Sequence, residues 1–247
     1  MSSIVAIGSG KGGVGKTWLA ASLAHALARR GRRVLLFDGD LGLANVDIQL
    51  GLDPGPDLAG VLRGRCTVAQ AIRRYAPCGF DLIAGRSGSG QLALSSPYAL
   101  APLLDELRAL TPVYDCVLLD LPAGIDALVR RLLAAADTAL VLTTDEQTAI
   151  TDAYALIKVS RVEAAGLAPQ LVINQVASHG IGRRAYEGLA RISEHFLGLR
   201  PELAGIVRRD PRVPEAIRQQ APFLTRSPTS PAARDVEALA RHLALRG

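Results

Sequence analysis

The sequence predicts an α/β fold, a doubly wound, mostly parallel sheet with helices on both faces. Three observations carry that reading. Short apolar runs alternate with helix-length amphipathic segments from one end of the chain to the other. Runs such as "VLLF" and "ALVL" are apolar on both faces, as strands covered on both sides must be. A glycine-rich loop, "GKGGVGKT" (10–17), joins the first apolar run to the first helical one. The rhythm has no internal repeat and no linker, so residues 1–247 are expected to form a single domain.

In chain order, strands are expected at Ile4–Ile7, Val34–Phe37, Phe80–Ile83, Cys116–Leu121, Thr138–Leu142, Leu171–Ile173 and Leu203–Val207. Helices are expected between them at 17–30, 67–75, 97–110, 126–136, 148–165, 182–197, 213–220 and 232–245. The first helix is the best marked: Leu19, Leu23 and Leu27 lie one turn apart, and Gly31 is placed as a C-terminal cap. The stretch "GRSGSGQ" (85–91) reads as a loop. In the last helix, Val236, Leu239 and Leu243 follow helical spacing.

Composition narrows the function classes. With 49% apolar residues the 247-residue chain is globular, and no apolar run reaches membrane-spanning length. The N-terminus lacks a charged-then-apolar secretion signal, so a cytoplasmic location is expected. Cys66, Cys78 and Cys116 are odd in number and lack C-x-x-C spacing, which argues against a disulfide framework or a zinc site. The net charge of +5 permits weak attraction to nucleic acid or anionic lipid. The positive residues are uneven in kind: of 28 Lys plus Arg, the lysines are Lys11, Lys16 and Lys158 alone.

Two of those lysines fall in the glycine-rich loop, which matches G-x-x-x-x-G-K-[ST] through Gly10, Gly15, Lys16 and Thr17. Glycines let main-chain N–H groups wrap an anion, and the helix N-terminus adds a favourable dipole. A compact ammonium at Lys16 reaches the β- and γ-phosphates where a planar guanidinium does not fit, and the Thr17 hydroxyl ligates Mg²⁺. Such a loop needs carboxylates at neighbouring strand ends, to hold the metal and position the attacking water. "VLLFDGDLGLANVDIQLG" supplies Asp38 and Asp40, and "CVLLDLPAGID" supplies Asp120. Strand-end aspartates also serve as helix caps, an alternative that spacing leaves open.

"KGGVGKT" resembles the deviant phosphate loop of the MinD/ParA ATPases, and the two carboxylate stretches resemble that family's switch segments. The resemblance implies ATP and Mg²⁺ as cofactors, and a homodimer when ATP is bound. Lys11 would reach across the interface to the partner's nucleotide, beside a loop of Gly12, Gly13 and Val14 that cradles phosphate. Asp38 and Asp120 would belong to the magnesium shell, Asp40 would orient the hydrolytic water, and Asn45 would lie near nucleotide and interface. Asn174, ending "LVIN", would read adenine, beside Asp210 and Pro211 of "GIVRRDPRVPEAIRQQAP". In that segment Arg208 stands where the family usually has proline.

"DGDLGLANVDIQLGL" and "TDAYALIKV" resemble the FlhG (FleN) branch, which controls flagellar number and placement. That branch implies partners: a flagellar GTPase, C-ring proteins or a transcriptional activator, with transient visits to the membrane or cell pole. Two features depart from it. The first strand starts at about residue 3, where FlhG proteins usually carry an extension, and the last helix is expected to pack on the sheet rather than insert in a membrane. A ParA-type DNA-partitioning ATPase is the second reading, with Arg183, Arg184, Arg208, Arg209, Arg212 and Arg218 as phosphate contacts. A small-molecule synthetase is a third, weakened by the lack of a glutaminase-like Cys/His pair and of a separate substrate domain.

Overall fold

The computed structural model describes residues 3–40, 46–53, 55–85, 97–163, 166–167 and 169–245. The expected loop at 85–91 lies outside these residues except for its first position, as does Asn45. The strands are β1 (Ser3–Ser9), β2 (Val34–Asp38), β3 (Arg73–Tyr75), β4 (Phe80–Ile83), β5 (Cys116–Ala123), β6 (Thr138–Thr143), β7 (Pro169–Val176) and β8 (Glu202–Arg208). They form one 8-stranded sheet in the order β3-β4-β2-β5-β1-β6-β7-β8. Every pairing is parallel except the antiparallel β3–β4 edge. The chain winds from β1 to one side and then to the other, so the carboxyl ends of its strands gather on one edge of the sheet. In such folds, ligands bind at that edge.

The helices are α1 (Lys16–Ala28), α2 (Val46–Leu50), α3 (Leu58–Leu62), α4 (Val68–Ala71), α5 (Pro97–Ala109) and α6 (Ala127–Ala134). They continue with α7 (Gln147–Glu163), α8 (His179–Leu197), α9 (Arg212–Arg218), α10 (Phe223–Arg226) and α11 (Pro231–Ala244). Leu36 of β2 belongs to a core with Leu19, Leu23 and Leu27 of α1 and Val236 and Leu239 of α11. Its neighbours Leu35 and Phe37 face the opposite core, with Leu132 of α6, Leu156 of α7 and Leu189 of α8. The two-sided apolar strands are thus covered on both faces, and the last helix packs on the sheet. Among the described residues, no helix is long and apolar enough to cross a membrane.

The helix expected at 67–75 is a correction. Thr67 and Gln70 form a capping box that starts α4, but Ile72 turns extended and Arg73–Tyr75 become an edge strand. The Tyr75 ring packs 5.5 Å from Phe80, Arg74 pairs with Asp81 at 3.1 Å, and Gly79 closes the hairpin at φ 73. Cross-strand contacts outweigh the short helical signal. Helices α2, α3 and α10 carry too few residues for periodicity to reveal.

Candidate nucleotide-binding site

The loop between β1 and α1 has the backbone an anion site needs. Gly13 and Gly15 lie at φ 81 and 85, in the left-handed region that favours glycine. Gly10 is packed against the main chain of α7, where a Cβ would collide with the carbonyl of Asp152. Helix α1 begins without a side-chain cap and has no acidic residue in its first turn. By contrast, Ser178 caps α8 and Ser230 caps α11. The first N–H groups of α1 are left for an anion from outside the helix.

Directly behind the loop lies a buried charge cluster. Lys16 and Asp120 form an ion pair, Nζ to Oδ1 at 2.7 Å, and both are buried. The Thr17 hydroxyl lies close to Asp120, while Asp120 Oδ2 is buried with no hydrogen-bond partner among the described residues. Asp38 is the registered neighbour of Asp120 on the adjacent strand and is fully buried. Its oxygens accept the main-chain N–H groups of Asp40 (3.2 Å) and Val46 (3.3 Å), so it also holds the start of α2. Burial, reinforced by the Asp120 charge, pushes the Asp38 carboxyl up to about 7. Burial likewise raises Asp120 against the pull of Lys16. Two raised carboxyl groups thus share one ammonium. The cluster's oxygens are the hard donors a Mg²⁺ ion takes, and Asp120 Oδ2 has no other partner among the described residues, so these residues fit the ion.

Lys11 stands at the mouth of the site. Its ammonium reaches Glu146 Oε2 at 2.8 Å and Thr148 Oγ1 at 2.9 Å, both at the start of α7. The pair is solvent-exposed, and the Lys11 hydrogen bond holds the Glu146 carboxyl below its ordinary value. Exposed pairs of this kind hold a side chain only loosely.

From the loop, a cleft of about 750 Å³ extends toward β7 and β8. It is lined by the phosphate loop from Gly12 to Thr17, by Asp40, by Asn174 and Gln175, and by Arg208, Arg209 and Asp210. Asn174 is buried and donates from Nδ2 to the Val14 carbonyl at 2.7 Å; Gln175, at φ 58, donates from Nε2 to the Gly13 carbonyl at 3.2 Å. Both amides brace the loop from below. Asp210 is buried, with one oxygen accepting from the Arg212 N–H at 3.1 Å and the other without a partner among the described residues. Pro211 opens α9, and Val213 and Pro214 beyond it face the cleft.

The structure therefore gathers Lys16, Thr17, Asp38, Asp40 and Asp120 at one end and Asn174 and Asp210 at the other, with Lys11 outside. Sequence reasoning overlooked Gln175, Trp18 and Asp152. Trp18 follows the phosphate loop, lines the cleft, and meets Phe223 edge-on at 5.3 Å. As the only tryptophan next to a phosphate-loop motif, it carried a signal in its position.

Comparison with known proteins agrees with this geometry. The CobQ/CobB/MinD/ParA nucleotide-binding domain matches residues 5–223. The chain is 35% identical over 238 residues to the antiactivator FleN of Pseudomonas aeruginosa, covering 96% of this chain and 85% of that protein. It is 36% identical over 227 residues to the flagellum site-determining protein YlxH of Helicobacter pylori, covering 88% and 76%. The cell division ATPase MinD of Pyrococcus furiosus superposes over 100% of both chains with a TM-score of 0.85 at 28% identity. The septum site-determining protein MinD of Pyrococcus horikoshii, complexed with Mg-ADP, superposes with a TM-score of 0.83 at 26% identity, over 100% of this chain and 98% of that one. The chain belongs to the CobQ/CobB/MinD/ParA nucleotide-binding family, near its FlhG (FleN) branch.

Proposed function

We propose that this chain is a Mg²⁺-dependent ATPase that works as a dimerisation switch of the FlhG/MinD type, setting flagellar number or placement or another position in the cell. The observation that carries the reading is the buried Lys16–Asp120–Asp38 cluster beneath an uncapped helix. In this state Lys16 serves as the cation for Asp120. When a triphosphate enters, the ammonium turns to the β- and γ-oxygens, and Asp120 loses its only buried counter-charge. An unpaired buried carboxylate is unfavourable, and a bound divalent cation would supply the missing counter-charge. Mg²⁺, held by Thr17 with Asp38 and Asp120 in its shell, would neutralise charge on the triphosphate. The main-chain N–H groups of Gly12 to Thr17 fix the phosphates. Asp40, hydrogen-bonded at its own N–H to Asp38, orients the water that attacks the γ-phosphate.

Asn174 and Asp210 take the adenine end, Asp210 offering an oxygen that lacks a donor. Lys11 leaves Glu146 and Thr148 for the triphosphate of a second copy, a richer anion than one exposed carboxylate. Exposed Ile48 and Ile125, next to the two switch stretches, suit a face that a second copy covers. A partner protein then reads the dimer, and hydrolysis resets it. The relative named as a flagellum site-determining protein supports that process for this chain. The DNA-partitioning reading loses ground because two of its six arginines are engaged within the chain, Arg208 with Asp235 and Arg212 with Asp210 at 3.7 Å. Phosphate release with ATP, with and without Mg²⁺, tests the enzymatic half. Metal-dependent release is expected, and a chain that binds Mg-ATP without turnover would remove it.

A further inference from the structure

Strand β8 is the outer strand of the sheet, and its last residue forms one wall of the cleft. The ladder is interrupted there: the β7–β8 register shifts between Ile173 and Val176, where Asn174 and Gln175 bend toward the phosphate loop. Arg209 still donates its N–H to the Val176 carbonyl at 2.8 Å. The N–H of Arg208, alternate to it, faces away from the sheet, where no strand follows. Asp235 of α11 fills that gap. Its Oδ2 accepts the Arg208 N–H at 3.0 Å and Nε at 2.8 Å, and its Oδ1 accepts Nη2 at 2.9 Å. A second Nη2 contact runs to the Pro231 carbonyl at 3.3 Å, and His179 Nε2 lies 2.9 Å from Oδ1.

Asp235 is buried on α11, a helix whose residues do not themselves line the cleft. Burial alone would raise its carboxyl, but the hydrogen bonds from Arg208 hold it below the ordinary value, so it stays ionised. One carboxylate thereby grips both the main chain and the side chain of Arg208. Two residues on, Asp210 presents its unpartnered oxygen within the same wall. The phosphate loop is braced by Asn174, Gln175 and α7, whereas Arg208 in this wall is held by α11.

We propose that Asp235 is a positioning residue for the nucleoside end of bound ATP: by fixing Arg208 it sets where the Arg208–Asp210 wall stands. The inference rests on the ATP-binding reading above and adds the last helix to the site. A merely structural brace would affect all ligands alike, whereas a positioning residue distinguishes those that reach the wall from those that do not.

The test is binding of Mg-ATP and of inorganic tripolyphosphate with Mg²⁺, by calorimetry, to the wild-type chain, Asp235→Asn and Arg208→Lys. Asp235→Asn keeps volume and one acceptor but loses the charge, and should weaken ATP about tenfold while leaving tripolyphosphate within about twofold. In turnover, the loss should appear in KM rather than in kcat. Arg208→Lys keeps the charge but cannot span both oxygens, and should lose less ATP affinity with tripolyphosphate again unaffected. Equal weakening of both ligands would mark a general structural defect and overturn the proposal, as would unchanged ATP binding in Asp235→Asn. A wild-type chain that binds tripolyphosphate but not ATP, or neither, would overturn the ATP reading as well.

Discussion

The two ends of the cleft are built differently. At the phosphate end, the groups come from one loop of consecutive residues and from aspartates that finish neighbouring strands, so sheet register alone brings Asp38 beside Asp120. At the nucleoside end, the wall is assembled from side chains far apart in sequence: Asn174 on Val14, Gln175 on Gly13, and Asp235 on Arg208. The phosphate end crowds two buried carboxyl groups, both raised above their ordinary values, around one ammonium. The nucleoside end is held by hydrogen bonds between side chains and main chain. In the proposed function, charge chemistry governs whether the ligand binds and reacts, and the far wall governs which nucleoside is held.

Lys16→Ala should produce the largest effect, a loss of ATP affinity of roughly a thousandfold, because it removes the one lysine or arginine buried among the described residues. It also leaves Asp120 unpaired, and the nucleotide-free chain should lose about 3 kcal/mol at neutral pH, less whatever protonation of Asp120 recovers. Calorimetry with Mg-ATP and a thermal melt would measure both. Retained affinity would mean that the loop binds without its lysine and that the contrast between the ends is misplaced.

Asp40→Ala comes next. Binding should survive while phosphate release falls about a hundredfold, because only the placement of water is lost. Hydrolysis at the wild-type rate would assign that task to another group.

The third test uses pH. The native chain holds a proton on Asp38 up to about pH 7, whereas the unfolded chain releases it near the ordinary carboxylate value. Between those limits the native state binds more protons, so stability contributed by this group is present at low pH and lost as pH rises through the window. The span corresponds to about 2–4 kcal/mol. Without nucleotide, melting temperature should fall from pH 5 to 7.5, and Asp38→Asn should flatten that slope. Parallel curves for the two proteins would remove Asp38 as the cause.

Asn174→Ala should have the smallest effect, about tenfold on ATP affinity, because it deletes one buried hydrogen bond that braces the loop from the far end. A loss as large as that of Lys16→Ala would erase the distinction between the ends.

The same division explains what the sequence disclosed. The loop from Gly10 to Thr17 and the aspartates Asp38, Asp40 and Asp120 were legible because phosphate and metal chemistry restrict residue type at fixed spacing. The two-sided strands and α1 were legible because burial imposes periodicity over several turns. The β3 hairpin was not, because a three-residue strand is decided by the Tyr75–Phe80 and Arg74–Asp81 contacts rather than by local propensity. Arg208 was visible as a departure from the family pattern, yet its partner Asp235 stands 27 residues away, and only the folded chain shows why the arginine is tolerated. Lys11 was visible as an extra lysine, but its hold on Glu146 and Thr148 was not.

In the proposed function, ATP recruits a second copy through Lys11. Light scattering coupled to size exclusion, with Mg-ATP and with Mg-ADP, on the wild-type chain and on Lys11→Ala, tests it most directly. The wild-type mass should double with ATP alone, and Lys11→Ala should bind ATP yet keep the monomer mass with either nucleotide. A wild-type chain that stays monomeric with ATP, or a Lys11→Ala variant that dimerises as the wild type does, would contradict it.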